Sequence, residues 1–551
     1  MTEKNKKKNI DRRSFLNTLG ASAITLAGAG LLSKSTESKA QEVPVFDDRV
    51  ERGHILRDRS AARAYRIKWN HYPNNREEKD YPYIANYTKG LPHDTTLGEV
   101  IPSDYKKYLK ALKTANFKIL ENINVGIRGL KNPQSGLAFD LEGPDPQQLR
   151  MRVAPRIDRP QNSAEMVELY WMSHLRDVQF TSYNTDPLAS AACADLNTMS
   201  DFRGPKVGGL VTPQTLFKGN AFGCTTGPHV SQYLLRNVSY GSLDVTQKQR
   251  RFTTGIDYMT NFSDWLFVQN GQKYPTDQPW DPTKRYIQTG RDLASYVYQD
   301  VLFQAYFNAC LIMLDDDVLF DNGNPYHSLV STCPFATFGP AHVQTLVAEV
   351  ANRAVKAVFF QKWFVHRRAR PEEFGGRVNA HVNGSANYPI DSEVLNSQAL
   401  IQNFSLHGNY FLPQAFRIGS PTHPAYGAGH AAVAGACVTI LKAFFNESFP
   451  IFNPVVPDAT GNTLVPYTGS GAGSMTVGGE LNKLAANISI GRNFAGIHWR
   501  TDFSEAAKLG ERVAIRLLIQ QARTYPEKHK FHLTKFNGKK VTINGRGYIK
   551  V

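Results

Sequence analysis

Six stretches of this chain repeat apolar residues at three- and four-residue spacing: 164–178, 289–314, 342–368, 430–445, 479–490 and 503–522. That is the period of an α-helix with a buried face. Strand-like alternation is scarce, so the pattern predicts a mainly α protein built as a helical bundle. One exception lies near the C-terminus. There 531–536 and 539–543 flank Asn537-Gly538 and read as a small β-hairpin, because Asn-Gly suits a tight primed turn.

The remaining stretches are organised around that bundle. Residues 455–478 are rich in Gly, Ser, Thr and Pro and read as a loop. Residues 41–162 are rich in Asn, Pro, Tyr and Arg with weak periodicity, and read as an extended region that wraps the body or a neighbour. The bundle domain is therefore assigned to 163–551. At the N-terminus, Lys4, Lys6, Lys7 and Lys8 precede Asp11-Arg12-Arg13-Ser14-Phe15-Leu16, then an apolar stretch over 19–32, then Ser38-Lys39-Ala40. A charged region, a short apolar region and a small-residue cleavage site behind a twin arginine predict an export signal over 1–40, removed from a periplasmic or extracellular protein. The apolar stretch is shorter than the roughly 20 residues a membrane span needs, so no stable insertion is expected.

The formal net charge is +16, and five of those charges fall in the first forty residues. The body has no long Lys/Arg run and no basic-aromatic repeat, so the excess reads as attraction of small anions toward a cleft and not as nucleic-acid binding. The five cysteines, Cys193, Cys224, Cys310, Cys333 and Cys437, match no zinc spacing. Cys310 and Cys437 sit in apolar helical runs and read as buried thiols. Export leaves a disulfide open, with Cys193 and Cys224 one candidate pair that the sequence does not assign.

The chemistry concentrates in Lys362, Arg370-Pro371, Gly429-His430, Arg492 and His498. Proline and glycines in 424–429 give way to an alanine-rich run, which places Gly429 and His430 at a helix N-terminus. Free N–H groups there attract anions, and glycine allows close approach. Pro371 is expected to end the helix carrying Lys362, and Lys362 and Arg370, eight apart, to point to one side. Arg367 and Arg368 read as the solvated end of that helix. Arg492 and His498 bracket an apolar segment, so both are expected to be partly buried. Asp502, four residues on, is placed to hold one imidazole nitrogen and leave the other as a ligand. Asp300 shares a helical face with Leu293, Val297, Phe303 and Phe307; a buried carboxylate needs a partner, and Arg492 is the expected one. Together these groups would cradle a tetrahedral or trigonal-bipyramidal oxyanion. Separately, Asp315-Asp316-Asp317 and Asp321-Asn322-Gly323-Asn324 offer oxygens for calcium, or form a solvated helix end and turn.

These residues resemble the vanadium-dependent haloperoxidases, and more distantly the type-2 phosphatidic acid phosphatase superfamily. The family order Lys, Arg-Pro, Ser-Gly-His, Arg, His, Asp is matched by Lys362, Arg370-Pro371, Ala428-Gly429-His430, Arg492, His498 and Asp502. The gap between Lys362 and Arg370 is similar to the algal and cyanobacterial bromoperoxidase branch, as are 227–232, 290–310 and 479–487. The resemblance implies a haloperoxidase fold of two four-helix bundles with the vanadate site in 359–502. It implies that His498 is the axial ligand of vanadate, and that Lys362, Arg370, Arg492 and the Gly429 amide bind its equatorial oxygens. His430 would be the acid–base partner, His423 would mark the bromoperoxidase type, and Phe359 would line the halide side. Ala428 departs from the family's serine and Gly427 from its common proline. The lost hydroxyl removes a hydrogen bond worth about 1–3 kcal/mol and implies a preference for bromide and iodide over chloride. The implied partners are hydrogen peroxide, halide and small organic substrates, in a homodimer or larger homo-oligomer. The rival readings of the same pocket are an exported acid phosphatase with His498 as nucleophile, and a non-catalytic oxyanion-binding protein.

Overall fold

The computed structural model describes residues 48–67, 74–272, 274, 277–547 and 549–550; the export signal read over 1–40 lies outside them. The chain divides into two compact units, 1–57 and 58–551. Of the first, the described part carries the start of the exposed Arg49–Arg66 helix. All that follows concerns the second.

Its centre is a bundle of four long helices, Pro340–Phe360, Gly429–Phe444, Val477–Phe494 and Arg500–Gln521. Gly429–Phe444 is buried on every face from Ala431 onward, as a sequence apolar but for Thr439 and Lys442 requires. It meets Arg500–Gln521 backbone to backbone. A Cβ on Gly435 would lie 2.0 Å from Ala507 O, and one on Gly510 would lie 1.9 Å from Ala432 O. Only glycine permits that approach, and it brings the start of one helix beside the start of the other. A second group of helices, Pro160–His174, Pro187–Thr198, Ser392–Leu395 and Gln398–His407, packs alongside. Among the described residues no helix is long and apolar enough to cross a membrane.

Several expectations are corrected at element ends. The stretch 289–314 is two helices, Gly290–Gln299 and Gln304–Asp315, parted where Asp300 turns extended (φ −60°, ψ 144°). Pro340–Phe360 continues as a π-turn over Gln361–His366 and stops at Arg367, whose φ is 44°. Pro371 ends nothing: it is the first residue of Pro371–Val382, where its missing N–H is no loss, and Arg370 is the residue before it. The 455–478 loop contains a two-stranded ribbon pairing Val455–Pro457 with Leu464–Pro466. The C-terminal hairpin pairs Lys530–Thr534 with Lys540–Asn544, and Ile549–Lys550 adds a third strand. Its turn is not the tight primed kind. Gly538 has φ 81° while Asn537 stays at negative φ, and the loop closes through Lys535 N to Lys539 O. All five cysteines are free thiols, so Cys193 and Cys224 are not bridged.

The stretch before residue 163 carries the helices Glu77–Asp80 and Pro102–Thr114 and supports the π-turn. Tyr87 and Tyr108 set their rings edge-on to Trp363, at 5.9 and 6.2 Å between centroids. The Thr88 amide donates to Glu373 Oε1 at 2.7 Å, while Glu373 Oε2 accepts from the Arg370 amide at 2.7 Å. One carboxylate thus ties the early chain to the residue on which the site turns.

Candidate active site

Arg370 is fully buried in the extended step between two helices, and its guanidinium reaches two histidines. Nη1 donates to His498 Nε2 at 2.9 Å and to Ile497 O at 2.9 Å. Nη2 donates to His423 Nδ1 at 2.8 Å, and Nε donates to His423 O at 2.9 Å. On the other side of the His498 ring, Nδ1 donates to Asp502 Oδ2 at 2.7 Å. His498 is therefore a neutral imidazole with its proton on Nδ1 and a lone pair on Nε2. Burial, followed by the charges of Arg370, Lys362 and Arg492, holds it well below the ordinary histidine range. Asp502 is not on the same helix turn as His498. It is the third residue of Arg500–Gln521, where it also accepts from the Trp499 amide at 3.1 Å. Burial raises its carboxyl against the pull of Arg368.

Lys362 arrives from the π-turn, an extra residue in the helix that re-aims the side chain. Its Nζ is fully buried and donates to Pro424 O at 2.7 Å and Ala425 O at 3.0 Å. Burial first, then the Arg370 charge, pushes it well below the usual lysine range. Arg492, in the last turn of Val477–Phe494, donates from Nη1 to Val297 O at 2.7 Å, and burial lowers it to about 10. The Ala425–Gly429 segment closes the site. The Ala428 amide donates to Asp502 O at 3.0 Å, and Gly429 opens the next helix with its free N–H groups. His423 packs its ring 5.1 Å from Phe359, and burial, then Lys362 and Arg370, keep it neutral.

His430 and Asp300 pair with each other. His430 Nε2 donates to Asp300 Oδ1 at 3.0 Å, and Asp300 is little exposed, 9% of its side chain. The expected Asp300–Arg492 contact is replaced by this one, because the break after Gln299 turns Asp300 out of the helix and toward His430. Arg492 feels Asp300 only as a nearby charge.

Three features fit the residues to an oxyanion. Among the described residues no carboxylate forms an ion pair with Lys362, Arg370 or Arg492, and their side chains hydrogen-bond carbonyl oxygens and imidazole nitrogens. Among the described residues the buried Arg492 Nε has no hydrogen-bond partner. A Cβ built on Gly429 would meet nothing within 4 Å. Burying a cation unpaired costs several kcal/mol, so three of them in one place describe an anion site.

The sequence reading missed Arg368. Far from solvated, it is 4% exposed and stacks over Trp499 at 4.4 Å. Nη1 donates to Asp502 Oδ1 at 3.2 Å and to Thr501 Oγ1 at 2.8 Å; Nη2 donates to Asn162 Oδ1 at 2.8 Å and Glu165 Oε2 at 3.3 Å. No local signal marks it, since its partners lie more than 130 residues away. Arg367 is half-buried and pairs with Glu78 at 2.6 Å. The stretch offered for calcium is engaged within the fold. Asp315 and Asp316 are engaged by Ser239 and Arg236, Asp321 accepts from the Gly323 amide and His532, and among the described residues no group of three or more His, Cys, Asp or Glu could hold a metal ion.

A family model described as the VCPO second helical-bundle domain matches residues 402–527. A vanadium-dependent bromoperoxidase of Corallina officinalis is 36% identical over 85% of this chain and 92% of its own length. Another, from Corallina pilulifera, is 35% identical over 93% of this chain and 100% of its own. The solved homohexameric second vanadate-dependent bromoperoxidase of Ascophyllum nodosum superposes with a TM-score of 0.88 at 28% identity, covering 96% of this chain and 97% of that one.

Proposed function

The chain belongs to the vanadium-dependent bromoperoxidase family, and from that premise we propose that it oxidises bromide and iodide with hydrogen peroxide, yielding hypohalous acid that halogenates small organic substrates. The observation that carries this reading is the His498 ring. Asp502 fixes its tautomer, and its Nε2 lone pair, which accepts from Arg370, lies among cations that have no carboxylate partner among the described residues.

The residues fit vanadate. His498 Nε2 would hold the vanadium, and Lys362, Arg370, Arg492 and the Gly429 amide would take its oxygens. When bound, vanadate supplies a Lewis acid that activates hydrogen peroxide toward halide without changing its own oxidation state. The chain's own groups do the rest. His430, held by Asp300 at Nε2, keeps Nδ1 to accept or return a proton. With an anion bound, Lys362 and Arg370 would present positive charge in a water-poor pocket, where it acts more strongly than in bulk water. Phe359 and His423 would face the halide. Ala428 supplies no hydroxyl, which supports bromide and iodide over chloride.

We assign the catalytic domain to 163–551 with its site in 359–502, and read 1–40 as a twin-arginine signal directing export. The order of charged, apolar and small residues supports that localisation. A homo-oligomer is supported by the homohexamer of the Ascophyllum relative. Purified protein given vanadate, peroxide and bromide should brominate a phenolic dye in a vanadate-dependent way. Phosphatase activity with no vanadate-dependent bromination would sink the proposal.

A further inference from the structure

Apart from the residues above, a cavity of about 440 Å³ opens between 180–184, 213–230 and the 456–470 ribbon. That volume holds a small organic molecule. Its lining is mixed, with an aromatic and proline side set against the neutral polar groups of Thr181, Asn184, Gln214, Thr225 and Gln288. Phe180 stacks on His229 at 3.9 Å between centroids with the planes 1° apart, and Pro228, Pro457 and Tyr467 belong to the same apolar side. Among the described residues that line it there is no Asp or Glu, and Lys218 is the one Lys or Arg.

Lys218 is 8% exposed, and among the described residues its Nζ has neither a hydrogen bond nor an ion pair. The nearby Glu480 is paired with Lys483 at 2.6 Å and acts on Lys218 only as a distant charge. Burial, with a smaller push from Lys483, brings its ammonium down to about 8. His229 does not share the positive charge, because burial, then Lys218 and Lys483, hold it well below the ordinary range and neutral. A largely buried lysine whose ammonium has no paired carboxylate is costly unless a ligand supplies one.

We propose that this cavity is a binding site for a small organic anion with a planar apolar body, its acid group on Lys218 and its ring against the Phe180–His229 stack. An inorganic anion would leave the Phe180–His229 stack unused, and a neutral arene would leave Lys218 unpaired. The site shares no residue with the Lys362–His498 pocket, so its occupancy is readable without turnover.

The probe is 2-naphthoate, titrated into the full chain by calorimetry beside its neutral methyl ester. Wild type is expected to bind one naphthoate per chain, at least tenfold tighter than the ester. Lys218→Met should lose that tenfold while leaving the ester unchanged, and Lys218→Arg should restore most of it. Should Lys218→Met melt early, Ser470→Trp, at the exposed rim, provides the second arm; its indole should weaken naphthoate at least fivefold with Lys218 intact. No naphthoate binding by wild type, or equal binding by wild type and both Lys218→Met and Ser470→Trp, would overturn the proposal.

Discussion

Asp300 accepts a hydrogen bond from His430 Nε2 at 3.0 Å and so fixes which nitrogen of that imidazole is left for chemistry. An acid–base group works only in the orientation and tautomer that reach the proton. Asp300→Ala should therefore lower kcat for bromide oxidation by about tenfold to a hundredfold. KM for bromide and vanadate affinity should each change less than about threefold, because Asp300 touches neither binding group. A loss appearing mainly in vanadate affinity would assign Asp300 to Arg492 instead.

Asp502 serves the other histidine. Its Oδ2 holds His498 Nδ1 at 2.7 Å from a fully buried position. Groups that orient a ligating imidazole are typically worth about 10–100-fold in affinity. Asp502→Ala should weaken vanadate binding to the apoprotein by that much, measured by equilibrium titration. Unchanged affinity would mean that packing alone orients the ring.

Lys362 makes vanadate binding pH-dependent. Burial and the Arg370 charge depress its pKa, so in the empty site it loses its proton below the usual lysine range. A bound anion favours the ammonium and raises that pKa. Affinity is thus fullest below the empty-site pKa and falls as pH rises through it, with proton uptake on binding over that window. Calorimetry in buffers of different ionisation enthalpy should show up to one more proton taken up by wild type than by Lys362→Met. Equal uptake would remove Lys362 from the linkage; the difference cancels vanadate's own titration.

Much of this was legible in the sequence, and what was not has physical causes. The four bundle helices follow from local periodicity, and Gly429-His430 at a helix start follows from a composition change across a few residues. The lysine–arginine arrangement was read correctly as a pair and wrongly as one helix, because a π-turn and a left-handed residue at Arg367 leave no mark in the apolar spacing. Asp300 was read as buried but given the wrong partner, since a break after Gln299 reverses the direction of its side chain. The Asn537-Gly538 turn was placed correctly and typed wrongly, because the same dipeptide suits both a primed turn and a turn ending in a left-handed glycine.

Ala428 precedes Gly429 at the start of the Gly429–Phe444 helix and is fully buried, its amide on Asp502 O. A serine there would offer a hydroxyl to a bound oxyanion, a bond worth about 1.5–3 kcal/mol when one partner is charged. Ala428→Ser should tighten vanadate binding by about tenfold or more, read by titration of the apoprotein. It should also raise the ratio of chloride to bromide oxidation. An unchanged affinity would show that the new hydroxyl caps the helix instead.

Arg368 separates a structural debt from a catalytic one. Its guanidinium satisfies Asp502, Glu165, Asn162 and Thr501 at once, in a region almost without solvent. Arg368→Met keeps the volume and the stack on Trp499 but strands Asp502 and Glu165 with fewer donors. Breaking a buried pair from one side costs about 3–5 kcal/mol. Arg203, whose Asp201 pair is open to solvent with 58% of the arginine side chain exposed, should cost less than about 1 kcal/mol when changed to Met. Guanidinium denaturation of the two variants should separate them clearly. The Arg368 variant should also bind vanadate more weakly, since its loss frees Asp502 to turn from His498. Similar midpoints for the two would mean that water or neighbouring donors replace Arg368, and that His498 is held by Asp502 unaided.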